Sequence, residues 1–340
     1  MTQFTLILSF CQQPCRSSLA KGLQPFCIKC AYSIEYSVVL YSLLIRVPTL
    51  PHSAPGDLFF AQFYLPMNQP RSFIKPALKP AELIKHLETK GLLVTNAVLA
   101  ERSLATIGYY RLLIYTRPFQ DKTKKFVQNS RFEDILELYE FDRNLRLLCL
   151  DAIEKIEVSL RSSIVNSLAV LHGPHFYTNS VHYHRPNSAS NFIDKVNSSD
   201  YLGISHYRNN YNNPTDPPIW AMLEAATFGA TSKLFADLTQ VNRKEVARLF
   251  EYDESILVSW FRTLTVFRNL CAHHNRLWNF KYSVNQPKKA KTLRSVFNET
   301  NSFHSRVVVL IALLNKIDPH SDWKMRLITL LDSAPLIAQP

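Results

Sequence analysis

Residues 266–280 read Val-Phe-Arg-Asn-Leu-Cys-Ala-His-His-Asn-Arg-Leu-Trp-Asn-Phe, a polar interruption at the end of a regular apolar stripe. Arg268 and Arg276 bring permanent cations, and His273 and His274 belong to the side-chain type whose unperturbed pKa allows it to give and take protons near neutrality. That combination suits phosphodiester cleavage in RNA. A histidine takes the proton from a 2′-hydroxyl or returns one to the leaving oxygen, while an arginine holds the phosphate and stabilises the charge of the transition state. None of these roles calls for a metal. The plainer reading is that Arg268, Asn269 and the two histidines stabilise a helix end, and residue types alone leave both readings open.

Spacing adds a constraint. Asn269 and His273 are four apart and share a helix face. Arg268 is five residues from His273, about 140° away around an ideal helix, so its side chain must lean or a second subunit must complete the site. The helix that carries these groups opens at Asp253 or Glu254, with Ile256, Trp260, Leu264, Phe267 and Cys271 as its core stripe.

The elements that must position this helix are also predicted to be helical. Lys79–Leu92 reads as a short helix, with Pro80 in its first turn, Leu83, Ile84 and Leu87 on one face, and Gly91 as its stop. Asn96 is placed to cap Ala97–Ile107, after which Gly108–Leu112 turns into an aromatic patch. Ser130 and Glu133 form a Ser-x-x-Glu capping box, and the absence of Gly and Pro from there to Leu171 predicts one long helix. Ile135, Tyr139, Leu145, Cys149, Ile153, Ile156, Leu160 and Ile164 make its apolar stripe, whereas Glu137, Arg143, Glu154, Lys155 and Arg161 lie off it. About 40 residues would span roughly 60 Å, so a kink or break is expected.

Gly173-Pro174 stops that helix, and residues 173–218 read as a long irregular connection. His172, His175, His182 and His184 cluster around it, either as a metal site or as ordinary polar loop residues. Pro217-Pro218 introduces a helix over Ile219–Leu238, with Trp220, Leu223, Glu224 and Phe228 on one face and Gly229 placed to admit a neighbouring backbone. An amphipathic stretch, Arg243–Phe250, leads to the motif helix, and Phe303–Ile317 and Trp323–Leu331 close the chain. No stretch alternates with period two for the length of a strand, so the expected class is all-α.

At 340 residues the chain has room for two modest domains, or for one with an extension. Apolar residues make up 46% and charged residues 19%, which argues against a disordered chain. The net charge of +12 favours a polyanionic partner. Residues 1–66 hold four positive and two negative charges and no lasting periodicity, so the remaining +10 belongs to residues 67–340. A start codon placed too far upstream would give this pattern, with Met67 opening the structured part. Cys11, Cys15, Cys27 and Cys30 crowd into that extension, where four zinc thiolates are an alternative reading, while only Cys149 and Cys271 follow. Tyr32–Leu50 is interrupted by Glu35 and Arg46, and its clean run falls short of the roughly 18 residues of a membrane span. Arg16 follows the first apolar stretch instead of preceding it, against the order of a secretory signal. A cytoplasmic protein without a membrane partner is therefore expected.

The block Arg268-Asn269-x-x-x-His273-His274-Asn-Arg-Leu-Trp-Asn279 resembles the signature of the Abi-like family of abortive-infection proteins, which is placed in the HEPN superfamily with its Arg-x(4–6)-His ribonuclease motif. Further motifs fall in the family's order: Ile107-Gly108-Tyr109-Tyr110-Arg111-Leu112, Phe141-Asp142-Arg143-Asn144-Leu145-Arg146, Ile156-Glu157-x-x-Leu160-Arg161, and Pro217-Pro218-x-Trp220-x-x-x-Glu224 with Phe228-Gly229. The resemblance covers about residues 70–320. It implies an HEPN-like helical bundle, expected here over residues 126–335, with an additional N-terminal helical region over 67–125. It also implies a homodimer in which the Arg and His residues of two protomers meet in one cleft. The implied activity is that of a toxin, a metal-independent and cofactor-free endoribonuclease that cuts host or phage RNA, with an inhibitory antitoxin RNA or protein as a candidate partner. Arg268, Asn269 and His273 fall on the catalytic motif, with His274 as the alternative spacing, and Arg276, Arg161 and Arg111 are the expected RNA-binding cations. Residues 1–66 match nothing in the family.

Two other functions compete. One is a non-catalytic RNA-binding or interaction protein of the same fold, in which His273 and His274 serve packing. The other is a basic DNA regulator reading with Ala97–Leu112, where no arrangement of base-reading side chains stands out. The pairing of both histidines with Arg268 favours the nuclease.

Overall fold

The structure, a computed structural model, describes residues 74–197, 201–297, 299–335 and 337. The expectations for residues 1–66, including the cysteine cluster and the Tyr32–Leu50 segment, lie outside these. Regular structure among the described residues is helical, with three isolated bridges as the only β pairing. The chain from Leu78 onward belongs to one unit. Its helices are α1 (Pro80–Glu88), α2 (Ala97–Thr106), α3 (Tyr109–Thr116), α4 (Phe132–Ile164), α5 (Ser188–Asn197), α6 (Leu202–Asn210), α7 (Ile219–Ala225), α8 (Phe228–Asp237), α9 (Gln240–Ala247), α10 (Glu254–Ala272), α11 (Phe303–Ile317) and α12 (Trp323–Asp332). No helix among the described residues is long and apolar enough to cross a membrane.

Helix α4 is the axis of the molecule. It runs for 33 residues and packs against α3, α8, α10, α11 and α12. Of its expected stripe, Ile135, Leu145, Cys149, Ile153, Ile156, Leu160 and Ile164 are buried, and Tyr139 is partly buried. The expected interruption arrives as a π-turn at Val165–Ala169, after which one α-helical turn, Val170–His172, reaches Gly173. The start differs from the expected capping box. Ser130 donates its hydroxyl to Val127 O, while Asp134 accepts the Arg131 N–H at 3.1 Å. Glu133 instead accepts from Thr95 Oγ1 and Asn96 N, tying the start of α4 to the start of α2. Its carboxyl is lowered below the ordinary value by these hydrogen bonds, against an opposing contribution from burial. Asn96 caps α2 as expected, its side chain accepting Leu99 N–H at 2.9 Å, a contact worth about 1 kcal/mol in general.

Helix α11 is buried on every side from Ser305 to Leu314, as its nearly unbroken apolar sequence requires. Helix α12 is fastened to α4 through Trp323, whose indole N–H donates to Leu148 O at 2.7 Å. Several connections are more regular than the sequence indicates. Tyr109–Thr116 is helical beyond Gly108, whose φ of +92° sets the turn into it. The stretch expected to be irregular over 173–218 contains α5 and α6. Conversely, the single helix expected over Ile219–Leu238 breaks at Ala226, and Thr227 caps α8 by accepting Ala230 N–H. At Gly229 the close neighbour is the Thr265 side chain of α10, 3.3 Å from where a Cβ would stand, and not a backbone.

Candidate functional site

Helix α10 begins with Asp253 accepting the Ser255 N–H and buries Leu257, Trp260, Leu264, Phe267 and Cys271 against α4 and α8. Its end is shaped by backbone. His273 N donates to Asn269 O, His274 N to Cys271 O, and Asn275 N to Leu270 O. This is a Schellman motif with His274 at the left-handed position, φ +59°, where glycine is the usual residue. Helix termination therefore uses main-chain groups, which removes the need for Arg268, Asn269 or the imidazoles to stabilise the end. All four side chains are exposed.

Beyond the reversal, a buried carboxylate holds the chain. Asp142 of α4 is fully buried and accepts from Leu277 N at 3.0 Å and from Trp278 N at 2.7 Å. Tyr115 of α3 donates to the same carboxylate at 2.7 Å, and Arg146, one turn along α4, pairs with it through Nη1. Arg146 also donates to Asn275 O at 3.4 Å and to Tyr115 Oη at 3.1 Å. Burial, then the Asp142 charge, push the Tyr115 hydroxyl well above its ordinary pKa, so it stays a donor. Arg111 adds a third tie, from Nη1 to His274 O at 3.0 Å. The motifs around Arg111 and Asp142 are thus the parts that fix the backbone of residues 274–278.

A second cluster lies on the Arg268 side. Arg161 pairs with Glu157, donates to Ala226 O at 2.8 Å, and stands 3.6 Å from Glu224. Burial raises the Glu157 pKa above the ordinary carboxylate range, against the opposing charges of Arg161 and Arg268. Arg268 is therefore within electrostatic reach of a partly desolvated acid. Arg161 is engaged in joining α4 to α7, and Arg276 reaches Asn279 O at 3.4 Å.

The structure brings Asn269 and His273 onto one exposed face of α10 and turns Arg268 toward the Glu157 side, about 140° from His273 by helix geometry. His274 is carried away from the helix by its left-handed backbone. In the sequence, Asp142 and Glu157 stand only as members of motifs, with no role assigned to either. Asp142 had a signal, since a carboxylate adjacent to Phe141 and three residues before Leu145 falls on the buried side of an amphipathic helix. Glu157 had none beyond its place in a motif.

Three of the four loop histidines, His172, His182 and His184, are engaged elsewhere. His172 Nε2 and His182 Nδ1 both bond the Asn242 side chain, at 3.1 and 3.2 Å, and His184 meets Arg243. Among the described residues, no group of three His, Cys, Asp or Glu is arranged to hold a metal ion.

Two outcomes follow from this geometry. Asp142→Ala strands a buried guanidinium and is expected to cost about 3–5 kcal/mol in urea unfolding. A loss below about 1 kcal/mol would show that the remaining ties suffice. His274→Gly is expected to keep or raise stability by up to about 1 kcal/mol, whereas His274→Ala lowers it. A glycine variant less stable than the alanine variant would assign the fold a need for the imidazole itself.

Comparison with known proteins supports the family resemblance over a shorter span than the expected residues 70–320. No curated protein and no solved structure matches the chain. The sequence pattern of the family described as Abi-like protein matches residues 102–279, more than half of the chain. That span runs from α2 to the loop held by Asp142 and includes Arg111, Asp142, Glu157, Arg268 and both histidines. The chain belongs to the Abi-like protein family.

Proposed function

We propose that this protein is an abortive-infection effector that cleaves RNA with Arg268 and His273, in a cleft completed by a second copy of the chain. The observation that carries the proposal is the helix end itself. Main-chain bonds terminate α10, and Asp142 fixes the following loop, which leaves Asn269, His273 and His274 exposed on a rigid support. Such a support suits a reactive group held in one geometry.

The reaction is an internal transfer. The 2′-hydroxyl attacks phosphorus, its proton passes to an imidazole, the bond from phosphorus to the 5′ oxygen breaks, and that oxygen receives a proton. Arg268 would hold a non-bridging oxygen as charge builds on it. The transfer leaves a 2′,3′-cyclic phosphate on one fragment and a 5′-hydroxyl on the other, and addition of water to the cyclic ester then gives a 3′-phosphate. Because Arg268 and His273 face different ways on one helix, a two-fold pair of α10 helices would set the Arg of one copy beside the His of the other.

Pure protein incubated with total cellular RNA is expected to release fragments with those ends, and to do so in EDTA. Arg268→Ala and His273→Ala are each expected to abolish cleavage at unchanged Tm. Cleavage that requires added magnesium, or that survives both substitutions, would overturn the assignment. The shared cleft has its own test. Mixed Arg268→Ala and His273→Ala chains are expected to recover activity that neither has alone, through one intact composite site. A fully active protein that is monomeric by light scattering at micromolar concentration would rule the shared cleft out.

A further inference from the structure

The RNA-directed reading leaves one strongly charged surface unused. Between Ser255 and Asn298 the chain contains eight Lys and Arg and no Asp or Glu. On α10, Arg262, Asn269 and His273 are spaced i, i+7 and i+11, which places them within about 40° of one another around the helix. All three are exposed, and about 16 Å of helix axis separates the first from the last. Arg268 lies about 120° away from Arg262, on the side of Glu157 and Arg161.

The loop after the motif is fastened beside this stripe. Lys288 N donates to Ser259 Oγ at 2.9 Å, and the Trp260 indole N–H donates to Lys288 O at 2.8 Å. Thr263 Oγ1 donates to Asn285 O at 2.9 Å. The same loop is braced from behind by the buried Arg306, which stacks over Tyr282 at 4.4 Å and reaches Asn285 O at 3.4 Å. Burial lowers the Arg306 pKa to about 10, so it remains a cation at neutral pH. Pro287 and Ala290 are buried while Lys288 and Lys291 are exposed. The backbone of Lys288 is therefore fixed one turn of α10 before Arg262, and neither side chain is paired with a carboxylate among the described residues.

Resting on the RNA-directed reading above, we propose that Arg262 and Lys288 form a phosphate-binding track for single-stranded RNA that extends from His273 toward the start of α10. The track is a binding site and takes no part in proton transfer. Both cations sit on fixed backbone, Arg262 on the His273 face of α10 and Lys288 on the loop tied to Ser259, so they can meet separate phosphates of one strand whose scissile bond lies at His273, and they carry no base-reading geometry.

The test measures binding of a fluorescent single-stranded RNA of about 12 nucleotides, 2′-O-methylated throughout so that it has no 2′-hydroxyl to attack, by the full chain across a salt series. Arg262→Gln combined with Lys288→Gln is expected to weaken binding roughly tenfold at low salt, and to flatten the slope of log affinity against log salt by about 1.4, at about 0.7 per phosphate contact. Arg262→Lys should bind as the unaltered protein does. An equal charge change elsewhere, Lys244→Gln with Arg185→Gln, should alter neither the affinity nor the slope by as much. If the unaltered protein binds and the track variant matches the Lys244/Arg185 control, the track is wrong while the RNA-directed reading stands. If the unaltered protein does not bind the RNA, both fall.

Discussion

A single carboxylate in the middle of α4 determines where the motif loop can lie. Asp142 has no exposure and meets four partners: the hydroxyl of Tyr115, the guanidinium of Arg146, and the backbone N–H groups of Leu277 and Trp278. A buried charge with incomplete partners is unfavourable by several kcal/mol, so each partner is held as firmly as the carboxylate itself. Through this node α3, α4 and the chain beyond α10 become one rigid assembly. The left-handed turn at His274 then has its two ends fixed, one by the Schellman bonds of α10 and the other by Asp142.

The same arrangement explains why the family motifs are so far apart in sequence. Arg111, Asp142, Arg146 and the segment 273–278 span more than 160 positions, yet they meet around one loop. Glu157, Arg161 and Glu224 make a second meeting point, on the Arg268 side of α10. Each cluster sits at the contact of α4 with another element, so α4 serves both as the core of the fold and as the frame of the site.

Much of the fold was legible because the helices that matter most bury continuous apolar stripes. α4, α10 and α11 carry Ile, Leu and Phe at helical spacing over many turns, and their ends agree with the sequence to within a few residues at α10 and α11. The elements that escaped are short and polar. α5 buries only Ser188, Ala189, Phe192 and Val196, and α6 only Ile204, so neither holds enough apolar periodicity to separate helix from loop. Their helical form depends on packing against α8 and α7, which sequence spacing does not report. The capping of α4 was misread for a related reason. A Ser-x-x-Glu spacing describes a local exchange of hydrogen bonds, but Glu133 found a better pair of donors just before α2, 37 and 38 residues away.

Of the candidate site, the sequence made the arrangement of side chains legible, but not what surrounds each of them. The spacing of Arg268 and His273 already requires them to face different directions, and α10 remains helical through Ala272, so that requirement survives in the folded chain. What spacing could not supply is the division of labour it creates. The His273 face is flanked by a basic, acid-free loop, and the Arg268 face by Glu157 and Glu224. In the proposed reading a polyanion would be attracted to the first face and would meet carboxylates at the second, where Arg161 and Arg268 offset them. In the proposed reading, an arginine that is to reach a phosphate while its own face is partly acidic would gain most from projecting away from its chain. In the proposed dimer, a neighbouring copy presenting its His273 face would supply the surface toward which Arg268 projects.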